Sequence, residues 1–494
     1  MIERSSGILL SVSSLPSRYG IGTLGREAYS FIDFLCKAGQ KYWQMLPLGP
    51  LSFGDSPYSP FSSFAGNPLY VDLEELIDDG LISAGDCREL EEECDGRPVD
   101  YQKQFLKRYD VLRKAYDNSC CRANAEGFAS ENDWVSDYAL FMSLKYKNKQ
   151  LPWHRWDYDA AAGKKEAVEK AQSELKDETD FWIFTQFLFY KQYFKLKNYA
   201  GKKGMRLIGD IPIYSAMDSA DVWCQRNVFL IGDDLKPSLV AGVPPDAFSS
   251  KGQLWGNPVY NWDYLRENSF GWWMKKIEWS FKLYDAVRID HFRGFEQFWA
   301  VPFQSEYAVN GSWMKAYGNE LFESVGEKYG NLDIIAEDLG IITKGVEDLR
   351  NKFGFPGMKV LQFAFDNNPK NPYLPENYEE NFVAYTGTHD NDTLRGWLSR
   401  MDNSEKTMVF EKLGIEGAAF RDEEDILYDI IGAVSKSKAN LCIIPMQDYL
   451  CLGSQARMNT PSTLGDNWTW RMRKEMLTDL LAGKIREVAV TSGR

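Results

Sequence analysis

The chain has 494 residues, of which 44% are hydrophobic, and its 57 basic and 71 acidic side chains leave a formal net charge of −14. This is the balance of a folded globular protein, without the cationic footprint that would neutralise a run of phosphates, so nucleic acid is disfavoured as a partner. No apolar run approaches the ~20 residues that span a bilayer and the first residues lack the layout of a secretory signal, so a cytoplasmic location is expected.

In chain order, β-type runs fall at 7–12, 42–48, 206–214, 286–291, 333–338, 357–363, 381–388 and 441–447. Many are apolar throughout, end in a polar residue and are followed by a helical pattern, which is how strands buried on both faces of a parallel sheet read. After the first run, Ala28, Phe31, Ile32 and Leu35 recur at helical spacing, with Gly39 placed as a C-cap. About 160 residues separate the second and third runs, too many for a plain βα unit, so a mostly helical insertion over about 51–180 is expected. Ile183, Phe187, Tyr190 and Phe194 form an apolar stripe leading into the third run. A second insertion, over about 217–280, carries a loop at 241–257 rich in glycine, proline and aromatic residues. Val346, Leu349 and Phe353 follow the fifth run and stop at Gly354, whereas 366–380 is rich in Asn and Pro and shows no helix. Ile426, Ile430 and Val434 precede the eighth run.

Eight strands alternating with helices predict an α/β protein, a (β/α)8 TIM barrel with large insertions at the C-terminal strand face. The alternative, a doubly wound sheet, would gain support from a glycine-rich phosphate loop, and neither Gly-x-Gly-x-x-Gly nor Gly-x-x-x-x-Gly-Lys-Ser/Thr occurs. Both insertions leave from the rim where a barrel carries its active site. They are expected to shape a cleft within one catalytic unit spanning 1–494.

Acids fall where that rim would be. The third run ends in Gly209-Asp210-Ile211-Pro212, the fourth in Arg288-Ile289-Asp290-His291, the fifth in Ala336-Glu337-Asp338 and the seventh in Thr388-His389-Asp390-Asn391-Asp392. A carboxylate at the end of a buried strand is costly unless paired or used. Each alone reads equally well as a capping or surface group, but several converging on one barrel mouth point to catalysis. In glycoside chemistry one carboxyl must be ionised to attack and another protonated to serve the leaving oxygen. Arg288 lies on the same strand face as Asp290 and is placed to keep it ionised. Eight cysteines without a Cys-x-x-Cys pair and three histidines, at 154, 291 and 389, suggest neither a disulfide scaffold nor a metal centre, and no cofactor is expected.

These motifs, with Leu15-Pro16-Ser17, Ser56-Pro57-Tyr58, Ala241-Gly242-Val243-Pro244-Pro245-Asp246, Trp255-Gly256-Asn257-Pro258 and Arg457-Met458-Asn459-Thr460-Pro461, make the chain resemble the 4-α-glucanotransferases, or amylomaltases, of the α-amylase clan. The resemblance covers almost the whole chain. It implies transfer of α-1,4-glucan segments from a donor maltodextrin to the 4-hydroxyl of an acceptor, with retention. It further implies Asp290 as nucleophile, Glu337 as general acid/base and Asp390 as the carboxylate gripping sugar hydroxyls. Ser56, Tyr58, Asp246, Gln253, Trp255 and Asn459 match glucan-contacting positions. Arg288, His291 and His389 are expected around the same subsite, with His389 donating to a sugar hydroxyl. Asp210 divides between a site residue and an anchor of the barrel rim, Asp392 is a rival for the role of Asp390, and Asp338 is expected to be structural. The chain departs from the pattern at Ser462, where many members have Gly. A hydrolytic α-glucosidase or α-amylase-like enzyme shares the acids, and a non-catalytic glucan-binding barrel is the reading from another class.

Overall fold

The computed structural model describes residues 2–52, 54–92, 96–120, 122–245, 249–366 and 368–494. Twelve strands are numbered in chain order. Eight of them, β1 (Ser5–Leu9), β2 (Tyr42–Gln44), β3 (Arg206–Ile211), β6 (Ala286–Ile289), β9 (Ile334–Ala336), β10 (Gly357–Val360), β11 (Phe382–Tyr385) and β12 (Leu441–Pro445), form one parallel sheet. Its order follows the chain, and β12 pairs with β1 through Leu441 opposite Ser5. Each of the eight runs read from sequence yields one of these strands, and each strand stops before its run does, β2 at Gln44 and β10 at Val360 while the next residues are still apolar.

Between β9 and β10 the ladder gives way to a seam. Ala336 N donates to Pro356 O at 2.9 Å, and Met358 N donates to a carboxylate oxygen of Asp338 at 2.7 Å. Asp338 is also ion-paired with Arg350, on the helix Lys344–Lys352, whose guanidinium lies 4.6 Å from the Phe382 ring centroid. A side chain thus stands in for a missing strand bond and closes the (β/α)8 barrel. Arg4 Nη1 donates to Ser437 O at 2.9 Å and Arg494 Nη1 to Ser5 O at 2.9 Å, stitching β1 to the segment before β12.

The helix Arg26–Lys37 buries Ala28, Phe31, Ile32 and Leu35 against the barrel, and Gly39 takes the left-handed φ of +70° that follows it. Between β2 and β3 the chain is helical, ending in the 27-residue helix Lys176–Lys202. Here the expected stripe is displaced: Tyr190 is buried, Ile183 and Phe187 are half-buried and Phe194 is exposed. The buried face instead includes Gln186 and Gln192. The Gln186 amide accepts from Gly66 N at 2.8 Å and donates to Gly66 O at 2.9 Å, and the Gln192 amide accepts from Asp72 N at 2.7 Å. A hydrophobic pattern misses such a face because satisfied amides count as polar in sequence but are buried in the fold.

The remaining strands, β4 (Leu239–Val243), β5 (Gln253–Pro258), β7 (Gln297–Pro302) and β8 (Ser312–Lys315), form an antiparallel sheet in the order β5-β4-β7-β8. The segment 241–257 is therefore largely two strands, with an intervening connection. Their sheet is completed by residues beyond 280, from between β6 and β9. Single short amphipathic strands at 297–315 carry too little periodicity to stand out from loop sequence.

Replacing Asp338 with Ala would leave Arg350 buried without its counter-ion and Met358 N without its acceptor. The expected cost is about 3–5 kcal/mol of stability, read by denaturant unfolding.

Candidate active site

The site is built from residues immediately past the strand ends. On β3, Gly209 gives way to the Tyr284 ring, which fills the place a side chain there would take, with 2.1 Å from an ideal Cβ to the ring. Asp210 next to it faces inward and is buried. One nitrogen of Arg288, on β6, lies 2.8 Å from both Asp210 oxygens, while the other lies 3.0 Å from Asp290 Oδ1. Burial opposes the charge of Arg288, but Asp210 and Asp290 outweigh it and hold the guanidinium firmly protonated. Asp210, with no exposed side-chain surface, does not reach the cleft. Its oxygens accept from Arg288 and Tyr58, an arrangement that fits the anchor of the barrel rim.

Asp290 remains partly open to solvent. His291 follows with a left-handed φ of +49°, which aims its backbone N–H at Glu337 Oε2, 2.6 Å away. Leu339 N donates to the other Glu337 oxygen at 3.0 Å. Removal from water pushes the Glu337 carboxyl up to about 8; Arg288 pulls it down, Asp290 pushes it further up, and the two backbone donors do not reverse the balance. Burial lowers His291 to about 4, so its ring is neutral at pH 7. The Trp255 ring meets it edge to face at 4.8 Å and remains partly exposed, with its indole N–H on Gln253 Oε1 at 3.2 Å.

The other half of the site comes from the excursion after β2 and the loops after β11 and β12. Ser56 Oγ accepts from Tyr58 N at 3.3 Å, and so builds the turn that presents Tyr58. The Tyr58 hydroxyl donates to Asp210 at 2.9 Å and lies 3.1 Å from His389 Nδ1, with the two rings stacked at 4.7 Å. His389 Nε2 is 3.5 Å from Asp390 Oδ1, which accepts from Asn459 Nδ2 at 2.7 Å. A continuous arc runs from Asp290 through Arg288, Asp210, Tyr58 and His389 to Asp390 and Asn459.

Asp392 turns away onto Arg400, Ser454 Oγ (2.8 Å) and Thr393 N (2.8 Å), and this packing removes it as a rival to Asp390. Asp246 and its neighbour Phe248 lie outside the described residues. Trp468 was not expected as a site residue, yet its ring sits 5.9 Å from Tyr58 and 5.8 Å from His389. The signal for it was the turn-forming Gly465-Asp466-Asn467 just before it, which presents a large ring at a bend. Ser462 has a φ of +63°, which explains physically why Gly suits that position. Among the described residues no group of three or more His, Cys, Asp or Glu is arranged to hold a metal ion, and no helix is long and apolar enough to cross a membrane.

A (β/α)8 barrel with three strand-end acids at one mouth, one of them held protonated, defines the class of barrel enzymes that work by paired carboxyl groups. The comparisons take this further: a family model described as 4-alpha-glucanotransferase matches residues 10–478, and the chain belongs to that family. The 4-alpha-glucanotransferase of Clostridium butyricum is 48% identical over 490 residues, covering 98% of this chain and 100% of its relative. That of Thermus thermophilus is 44% identical over 505 residues, covering 100% and 99%. The amylomaltase from Streptococcus agalactiae, solved with acarbose, matches with a TM-score of 0.95 at 40% identity over 100% of both chains. Amylomaltase from Corynebacterium glutamicum, at 18% identity and a TM-score of 0.80, shares the fold.

The raised Glu337 carboxyl makes a stability prediction. The folded state favours the protonated form, so its contribution is fully present below the unfolded glutamic acid value of about 4.3 and is lost as pH rises toward about 8. Glu337→Gln removes that loss. Its thermal midpoint is expected to match the parent in acid, to rise above it progressively from about pH 4.3 to about pH 8, and to hold a constant lead beyond.

Proposed function

We propose that the site transfers α-1,4-glucan segments by a retaining double displacement. Asp290 attacks the anomeric carbon, the bond from that carbon to the leaving oxygen breaks, and Glu337 gives its proton to that oxygen. The 4-hydroxyl of an acceptor glucose or glucan then attacks the same carbon. Its proton passes to Glu337 and the bond to Asp290 breaks, which restores the starting state. The observation that supports this reading is the opposed treatment of two carboxyls on neighbouring strands: Asp290 shares a guanidinium, whereas Glu337 sits in a dry wall that keeps its proton to about pH 8.

Asp390, with His389 and Asn459 beside it, grips hydroxyls of the sugar being transferred and favours its distorted, oxocarbenium-like form. Tyr58, Trp255 and Trp468 offer ring faces to pyranose C–H groups. Gln253 extends the same surface, and Asp246, outside the described residues, is kept as a glucan contact on the family resemblance alone. The helical excursion over about 51–180 and the antiparallel sheet wall the cleft, and the half-exposed Leu254 and Trp255 on β5 form an acceptor-binding edge that competes with water. Acetal exchange between two carboxyl groups calls for no redox or metal chemistry, and the substrates proposed are neutral maltodextrins met in the cytoplasm.

Incubation with maltotriose tests the reading. Transfer yields glucose and a ladder of longer maltodextrins, while a product set of shorter sugars alone would make the enzyme a hydrolase. Asp290→Asn is expected to lower turnover by at least about 10³-fold while maltodextrin binding survives. Trp255→Ala is expected to raise the share of hydrolysis by weakening the acceptor; an unchanged product ratio would remove that residue from acceptor binding.

A further inference from the structure

We infer that Arg293 is a positioning residue for the acid/base carboxyl: its guanidinium, backed by the ring of Trp313, pins the loop after β9 so that the Leu339 N–H stays on Glu337. The inference deepens the glucan-transfer reading and rests on it for the role of Glu337, while its structural content is the hold on one loop.

That loop has little else to hold it. From Leu339 to Ile342 the chain is neither helix nor strand, and among the described residues its backbone makes two hydrogen bonds. Leu339 N donates to Glu337 Oε1 at 3.0 Å, and Ile341 O accepts from Arg293 Nη1. Leu339 and Ile342 are half-buried and Ile341 is exposed, so packing fixes the loop only in part. One of its two bonds is to the acid/base itself, and the other is to Arg293.

Arg293 starts from a fixed point beside the same acid. It lies in the single turn Phe292–Phe295 after β6, where Phe292 and Phe295 are fully buried and Phe292 N donates to Glu337 O at 3.0 Å. Its guanidinium carbon is 3.8 Å from the centroid of the Trp313 ring. Trp313, on β8, is met edge-on at 5.1 Å by Trp299 of β7, whose indole N–H donates to Ala308 O at 2.8 Å. The antiparallel sheet thus supplies a wall behind the cation.

A buried guanidinium ordinarily pairs with a carboxylate. Arg293 is buried, yet among the described residues no acid lies within ion-pairing distance of it. Glu296 supports its charge from farther off, and Arg293 Nε and Glu296 Oε2 are both buried without a hydrogen-bond partner. What the guanidinium does hold is a carbonyl and a ring, and both fix where it points. The charged and titratable groups facing Glu337 are Arg288 and Asp290, from β6 and its end, and Tyr373, from the segment between β10 and β11; Arg293 itself faces Glu296 and His291. A change at Trp313 leaves all of these in place. Losing the Leu339 donor removes one of the two backbone bonds that favour the ionised carboxyl, so Glu337 would keep its proton to still higher pH.

The pH dependence of Trp313→Leu and Arg293→Lys tests this. The first keeps the cation without its backing, and the second keeps the charge without the planar fork that reaches Ile341. Both are expected to move the alkaline limb of kcat with maltotriose up by about half a pH unit or more and to lower kcat roughly tenfold, with KM changed by less than about twofold. The same shift is expected without turnover: in either background the thermal-midpoint lead of Glu337→Gln levels off above about pH 8 instead of at about 8. Variants that lose stability but keep the parental alkaline limb and levelling point overturn the proposal, because a merely structural role lowers stability without touching Glu337. If the parent makes the maltotriose ladder and neither measurement shifts, the transfer reading stands and this inference alone falls. Shifted stability profiles in an enzyme that forms no ladder would sink the transfer reading and leave the hold on Glu337 standing.

Discussion

The position of one buried guanidinium decides what the acids of this barrel can do. Arg288 lies between Asp210 and Asp290 with almost no exposure, and taking it out of water is tolerable because both of its sides meet carboxylate oxygen at 3.0 Å or less. Glu337, one strand further on, is left with backbone N–H groups in place of a cation. Arg288 thus ties Asp290 to the buried Asp210 on β3, while removal from water, which Arg288 offsets only in part, sets Glu337 apart as the carboxyl that keeps its proton.

The second half of the site is imported. Tyr58 comes from the excursion after β2, Asn459 from beyond β12 and Trp255 from the antiparallel sheet, so the barrel supplies the acids and the added segments supply the surfaces against which a sugar would rest. The tie between the halves is the Tyr58 hydroxyl, bridging the buried Asp210 to His389.

Much of this was legible in the sequence, for identifiable reasons. A strand buried on both faces must be apolar until it ends, so the eight runs and their terminal acids stood out, and the pairing of Arg288 with Asp290 followed from strand alternation. The stripe on the helix Lys176–Lys202 was misread because Gln186 and Gln192 are buried as amide bridges to a loop, a use of polar residues that no hydrophobic pattern encodes. The antiparallel sheet was read as loop because its strands are short and come from two separate excursions. Asp210 divided evenly between two roles in the sequence, and its distance to Arg288 and lack of exposure, which favour the anchor, depend on the fold. Asp392 resembled Asp390 by spacing alone, and what separates them is a contact with Arg400 and Ser454 that depends on the loop after β11. Ser462 stood out by resemblance, and its left-handed backbone supplies the reason.

The pairing of β1 with β12, reinforced by Arg4 and Arg494, has a consequence for biosynthesis. β1 leaves the ribosome long before β12, its lateral partner, and the loop that Asn459 occupies lies later still. Everything between the two strands must emerge before the cylinder can shut, so β1 and its apolar flank wait through that interval with one edge open. Such an intermediate exposes a sticky strand margin to neighbouring nascent chains, and the cell's holding chaperones have a longer interval to guard than they would for a protein assembled from consecutive, self-contained pieces.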